Sequence, residues 1–280
     1  METGQLIFRK NNNLTQNSNL ELSIQVSLNG LSFSILNRNT LTIRNIKHFN
    51  FLKKETPFYT LTRLKKVFEE EECLKANFSK VLVIHQNQSS TIVPNAIFEP
   101  KALADYLKFN AKILQTDFVT YDEIKPNKSV NVYVPYVNIN NYIFERYGAF
   151  TYKHATTILI ENLLQHQTND SNSKMVVNVI SNRFDLLIIK KNKLEFYNSF
   201  DFNSKEDFLY YILFTAEQLK LDPETFQLEM IGAIKKDDEL YAIAYKYIRH
   251  VSFGNRLDSL NFETAKPETS YSDYTLLKSF

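Results

Sequence analysis

The feature that most constrains this chain is a β-meander written twice. Residues 21–49 read ELSIQVSLNGLSFSILNRNTLTIRNIKHF, and residues 174–202 read KMVVNVISNRFDLLIIKKNKLEFYNSFDF. Each stretch gives an apolar strand, a short polar turn, a second strand, another polar turn and a third strand. In the first, Leu22, Ile24, Val26 and Leu28 alternate with polar neighbours, the period of two that marks a strand with one buried face. Asn29-Gly30 predicts a hairpin turn, because both residues tolerate positive φ. A meander at the head of each half predicts a duplicated α/β architecture with a cleft between the halves.

The elements after each meander keep the same order. Thr56-Pro57 predicts a helix start with Pro at the first position and Phe58, Leu61, Leu64 and Phe68 on one face. Val81–His85 reads as a buried strand, Pro100–Asn110 as a second helix and Val130–Tyr136 as another strand. Helices near Asn138–Arg146 and His154–Gln165 flank a short strand around Phe150. In the second half, Ser204 with Asp207 three residues on predicts the cap of a helix over Lys205–Lys220, which Asp222-Pro223 ends. Phe226–Gly232 reads as a strand. Asp237–Arg249 reads as a helix whose early acids and late Lys246 and Arg249 complement the macrodipole. Val251–Phe253 supplies a last strand.

Three strands, helix, strand, helix, strand is the ribonuclease-H-like order. The first half fits it with an insertion around Gln86–Pro100. The expected organisation is a flexible lead-in over residues 1–19, a first half over 20–170 and a second over 171–280, with the polar run Thr168–Ser173 near the boundary. Asn255–Phe280 reads two ways, as a segment packed across the halves or as a trailing tail.

Composition narrows the function classes. A chain of 280 residues can bury a substantial core. Its five glycines are too few for glycine-rich phosphate loops. A net charge of +2 with dispersed basic residues disfavours nucleic acid and polybasic membrane binding. Cys73 is the only cysteine, so no internal disulfide or cysteine metal site can form. Glu69–Glu72 beside it raises the thiol's pKa and argues against a nucleophile. His48, His85, His154, His166 and His250 follow no metal-ligand spacing. No window approaches a membrane span, and Leu6–Phe8 is too short for a signal core, so a cytoplasmic protein is expected. The paired acids Asp122-Glu123 and Asp237-Asp238-Glu239 read as structural. Tyr210, Tyr211, Phe214, Tyr241, Tyr245 and Tyr247 read as helix faces in or near the core, with a Tyr-rich interaction patch as the alternative.

Three short stretches carry a family resemblance. They are Ser27-Leu28-Asn29-Gly30-Leu31-Ser32, Asn178-Val179-Ile180-Ser181-Asn182-Arg183-Phe184-Asp185, and Leu228-Glu229-Met230-Ile231-Gly232-Ala233. With the duplicated order, they resemble the actin, chaperone-ATPase and sugar-kinase superfamily. More narrowly, the chain looks like a family of uncharacterised Bacteroidetes-type proteins with an actin-like fold and no assigned activity.

In that superfamily ATP lies between the halves, held by a glycine- and Asp-bearing hairpin loop from each half and by a glycine pair on a later turn. The resemblance places Ser27 and Asn178 where metal-organising acids are expected, and Ile180 where a glycine lets phosphate approach. Phe184-Asp185 agrees with the pattern, and Gly232 keeps one glycine of the adenosine turn. The implied cleft residues are Ser27, Asn29, Gly30, Asn178, Asn182, Arg183, Asp185 and Gly232. The resemblance therefore implies an actin-like protein without ATP hydrolysis, cofactor or metal, acting as a binding or scaffold module for an unidentified protein partner. The alternatives are a divergent nucleotide-dependent phosphotransferase or ATPase using Asn29, Asn178, Asp185 and Gly232, and a small-anion sensor centred on Arg183.

Overall fold

Each meander seeds a sheet with the same strand order. The computed structural model describes residues 19–109, 111–114, 116–165, 173–256, 258–263 and 266–280. Contacts group the chain into two units. One comprises Met1–Leu159, Asp258–Lys266 and Thr275–Phe280; the other comprises Ile160–Leu257 and Pro267–Tyr274. This division falls at 159/160 rather than 170/171 and returns two C-terminal pieces to the first unit. Residues 1–18 of the expected lead-in, and 168–172 of the expected boundary run, lie outside the described residues.

In the first unit, β1 (Leu20–Ser27), β2 (Gly30–Asn37) and β3 (Thr42–Asn50) form the antiparallel meander. Helix α1 (Pro57–Glu70) follows, and the Thr56 hydroxyl accepts from the Tyr59 N–H at its start. Strand β4 (Lys80–His85) then runs parallel to β1. An inserted sheet comes next: β5 (Ser90–Pro94), α2 (Leu103–Leu107), β6 (Thr120–Ile124) and β7 (Ser129–Tyr133), with strand order β5-β7-β6. Helix α3 (Val137–Tyr147), strand β8 (Thr151–His154) parallel to β4, and the first residues of helix α4 (Ala155–Gln165), which crosses the 159/160 division, complete the series.

The second unit repeats the order without an insertion. Its elements are β9 (Lys174–Ile180), β10 (Arg183–Lys190), β11 (Lys193–Asp201), α5 (Lys205–Gln218), β12 (Gln227–Gly232), α6 (Glu239–Tyr247) and β13 (His250–Phe253). Its sheet runs β11-β10-β9-β12-β13. The C-terminal segment adds β14 (Asn261–Phe262) and α7 (Tyr274–Leu277). Strand β14 pairs parallel with β3, so the first sheet runs β14-β3-β2-β1-β4-β8. Leaving that edge strand aside, both sheets place the third, second and first meander strands beside two later parallel strands.

Several expectations shift. Phe58 does not join the buried face of α1; it is 70% exposed, and Thr60, Leu64, Val67 and Phe68 are buried instead. At 100° per residue Phe58 lies about 120° round the helix from Leu64. The insertion runs on through β7, well beyond Pro100. The helix expected over Pro100–Asn110 is a 3₁₀ turn, Pro100–Ala102, followed by the short α2; residue 110 lies outside the described set. Leu28 and Asn29 form the first hairpin turn, and Gly30 opens β2. Gly30 is needed there for space, since a Cβ would stand 2.7 Å from the Phe49 carbonyl oxygen. The turn with two residues at positive φ is Lys191-Asn192, between β10 and β11.

Candidate functional site

Each unit holds one of the two hairpins that the resemblance singles out. In the second unit, β9 turns into β10 at Ser181-Asn182, with Ile180 opposite Arg183. Ser181 sits at φ +53°, a conformation glycine adopts without strain. Asn178 and Asp185 are cross-strand neighbours, each only 5% exposed. The Asn178 amide donates to Asp185 Oδ2 at 3.3 Å, and the Tyr197 hydroxyl donates to Asp185 Oδ1 at 3.4 Å. Gly232 ends β12 against Asn178 and Val179 with φ +88°, and a Cβ there would lie 2.3 Å from the Val179 carbonyl oxygen and 2.7 Å from Asn178 Oδ1. Asn178, Asp185 and Gly232 thus come together. Asn182 lies in the turn, and Arg183 carries a buried Nε with no hydrogen-bond partner among the described residues.

In the first unit, Ser27 spends its hydroxyl on its own turn. It donates to the Gly30 carbonyl oxygen at 3.0 Å and accepts from the Asn29 N–H at 3.2 Å. Counting back from each turn, the position equivalent to Asn178 is Gln25, not Ser27, and Ser32 stands where Asp185 does. Gln25 donates to Gln86 Oε1 at 3.0 Å.

Also in the first unit, a buried polar cluster gathers residues far apart in sequence. Asp122 on β6 is 5% exposed. Its Oδ2 accepts from the His154 backbone N–H and the Thr157 hydroxyl, each at 2.8 Å, and its Oδ1 accepts from the Tyr133 hydroxyl at 3.1 Å. The carboxylate therefore sits at the start of α4, where exposed N–H groups favour negative charge. Burial outweighs these bonds and pushes its pKa up to about 6.

His154, the residue before α4, accepts the Thr156 N–H on Nδ1 at 3.2 Å, leaving the Nε2 proton for the Asn87 carbonyl oxygen at 3.2 Å. His85, opposite His154 in the sheet, accepts the Tyr136 N–H on Nδ1 at 3.2 Å and donates Nε2–H to Asn140 Oδ1 at 3.0 Å. Both imidazoles are thereby held in one neutral tautomer. Burial lowers the His85 pKa to about 4. The cluster ties β6 and β7 to the start of α4, with the Asn131 amide donating to the Thr157 hydroxyl at 3.1 Å. Besides the acid pair Asp122-Glu123, its sequence signal was single polar residues inside apolar runs, such as His85 closing VLVIH and Asn131 in VNVYV.

Elsewhere, Cys73 is half-buried, and its thiol is held above the usual range first by burial and then by Glu71. Among the described residues no group of His, Cys, Asp and Glu is arranged to hold a metal ion, and no helix is long and apolar enough to cross a membrane.

On the second unit, α5 and α6 frame an apolar groove of about 400 Å³. Leu209, Tyr210, Leu213 and Phe214 line it from α5, Ile243 and Tyr247 from α6, and Glu206 and Glu217 stand in the first and last turns of α5. Tyr210 is 58% exposed and stacks on Phe214 with centroids 5.6 Å apart. Of the six aromatics expected near the core, Tyr210, Phe214, Tyr245 and Tyr247 are exposed, while Tyr211 and Tyr241 pack against the second core.

Residues 9–251 match the family described as protein of unknown function (DUF3822). The chain belongs to that family. This DUF3822 chain has no match among curated proteins. Its fold is that of an actin-like ATPase. It superimposes on a Bacteroides thetaiotaomicron protein with an actin-like ATPase fold and unknown function, with a TM-score of 0.71 and 24% identity over 88% of this chain and 94% of that one. A chain of the PilM–PilN type IV pilus biogenesis complex matches with a TM-score of 0.57 and 10% identity, covering 92% of the DUF3822 chain and 96% of its own length.

Proposed function

We propose that this chain is a non-catalytic actin-like protein that holds a protein partner and works in the cytoplasm. The observation that carries the reading is the state of Asp185, the acid that keeps the family pattern. It is buried, and both of its oxygens already accept hydrogen bonds, from Asn178 and Tyr197. A magnesium–triphosphate needs free carboxylate ligands and converging N–H donors. The residues here do not fit it. Asn178 is an amide, Ile180 is β-branched, the Asn29 N–H is bound by Ser27, and Gly232 is filled round by its own unit. Gly232 is thereby explained by packing alone. The likeness to a chain of a pilus-biogenesis complex supports a role in protein assembly, by fold alone.

A direct test is the melting temperature in millimolar ATP with Mg²⁺. A site filled at a hundred times its dissociation constant adds about 2.7 kcal/mol, whereas this reading expects no shift and no phosphate release. A second reading has one observation in its favour: the buried, unpaired Arg183 Nε suits a small anion. A shift with phosphate or sulfate that Arg183→Ala abolishes would favour that reading.

A further inference from the structure

Helix α5 is apolar on two faces. Phe208, Leu209, Ile212, Thr215 and Ala216 are buried in its unit. Away from that core Glu206, Tyr210, Phe214 and Glu217 are exposed, and together with Leu209 and Leu213 at the flank of the core they line the groove, at spacings of three, one, three, one and three residues. That is the i, i+3, i+4, i+7 stripe of a helix packed against another helix. Leu209 and Leu213 also reach the core, whereas the exposed Tyr210 and Phe214 have beside them only the shallow wall of α6.

The two glutamates bound this stripe at either end. They lie eleven residues apart on α5, about 16 Å along the axis at 1.5 Å per residue. Neither forms an ion pair among the described residues. The lysines within α5 and α6 are engaged elsewhere: Lys205 with Glu239 at 3.2 Å, and Lys246 over the Tyr247 ring at 5.5 Å. An apolar trough closed at both ends by unpaired carboxylates complements an apolar ridge with a cation at each end.

We infer that the α5/α6 groove is a docking site for an amphipathic helix of a partner protein, with an apolar stripe flanked by Lys or Arg about eleven residues apart. This rests on the protein-binding reading and adds where the partner sits and what it looks like. Exposed Tyr and Phe supply anchor surfaces of the kind enriched at binding hot spots.

The test is a displayed library of helical peptides with randomised stripe and flanks, selected on the whole chain and counter-selected on the Phe214→Ser and Tyr247→Ser variants. Both positions are exposed, so the variants should melt as the parent does. The expected winners carry apolar residues at i, i+3 or i+4, and i+7 with Lys or Arg at both ends, and lose about tenfold or more in affinity on Phe214→Ser. The double charge reversal Glu206→Lys with Glu217→Lys should make the same apolar stripe prefer acidic flanks.

Several results overturn the assignment. They are winners that are acid-flanked or extended, no enrichment that survives counter-selection, or a concentration-dependent dimer lost on Phe214→Ser, which would give the groove to a second copy. Peptides that bind parent and Phe214→Ser equally would remove the groove while leaving a protein-binding role. A magnesium–ATP melting shift would instead remove the parent reading.

Discussion

Asp122 and His85 make opposite demands on pH although they lie in one unit. With its pKa pushed up to about 6, native Asp122 keeps a proton that the unfolded chain has released above about pH 4. Its contribution is full below pH 4 and is lost as pH rises to 6, by roughly 3 kcal/mol. His85, lowered to about 4, works the other way. The unfolded imidazole takes a proton below about pH 6.5 that the native one refuses, so stability is lost as pH falls from 6.5 to 4. In the parent the two slopes offset. Asp122→Asn preserves the acceptor for His154 and Thr157 and removes the ionisation. Urea titrations from pH 4 to 7 should therefore show the variant gaining on the parent as pH rises to 6. A difference profile flat across that window would mean that Asp122 ionises as in water. Backbone conformation gives a second residue-scale expectation. Ser181 at positive φ bears a left-handed penalty of about 1–2 kcal/mol, and glycine's greater unfolded-state entropy returns about 0.5–1 of it. Ser181→Gly should stabilise by about 0.5–1 kcal/mol. Gly232→Ala should lose roughly 2–4 kcal/mol, from strain at φ +88° and the clash with Val179.

At the scale of elements, what was legible was local. The alternating meanders, the helix start at Thr56-Pro57 and the cap at Ser204 read correctly because each needs only a few neighbouring residues. Ser204 accepts the Asp207 N–H at 3.1 Å, and Asp207 returns a bond to the Asn203 N–H at 3.0 Å. Ser204→Ala should cost about 1 kcal/mol, read as a lower urea midpoint with unchanged slope. Misreadings arose where a local signal had two outlets. The acids at 237–239 suit a helix start, but Asp238 accepts the Lys235 N–H at 2.7 Å and closes a preceding turn, so α6 begins at Glu239. Asn29-Gly30 had the chemistry of a hairpin turn, yet the meander registers set the turn one residue earlier, where Ser27 bridges it. The exposed stripe of α5 was left open between core face and interaction patch in the sequence, because its spacing is that of a core face. Only the identity of the second, buried stripe shows which side is left over.

For the whole molecule, the repeated three-strand, helix, strand, helix, strand order could be read from the chain because both copies keep their patterns short-range. Of the inserted β5-β7-β6 sheet only β7 could, since its strands are five residues each and its cluster around Asp122 is assembled from three distant segments. The C-terminal segment was equally opaque, its strand β14 being only two residues long. Its last residues follow neither reading, since they pack within one unit. Leu276 packs with Leu82, Ile84, Ala155 and Ile158, Leu277 packs with Leu36 and Ile43, and each leucine is 2% exposed. The Ser279 hydroxyl donates to Ser23 Oγ at 2.7 Å. The end of the chain therefore completes the core of the unit that begins it. Leu277→Ala leaves a hole that β2 and β3, already fully paired, have little freedom to close. A buried leucine truncated in this way loses about 2–5 kcal/mol, whereas one on a trailing tail loses less than about 0.5. Amide hydrogen exchange would locate the loss, with protection of Leu36 and Ile43 falling while that of Val177 and Leu186 in the other core stays near the parent value. A change under about 0.5 kcal/mol would return these residues to the status of a tail.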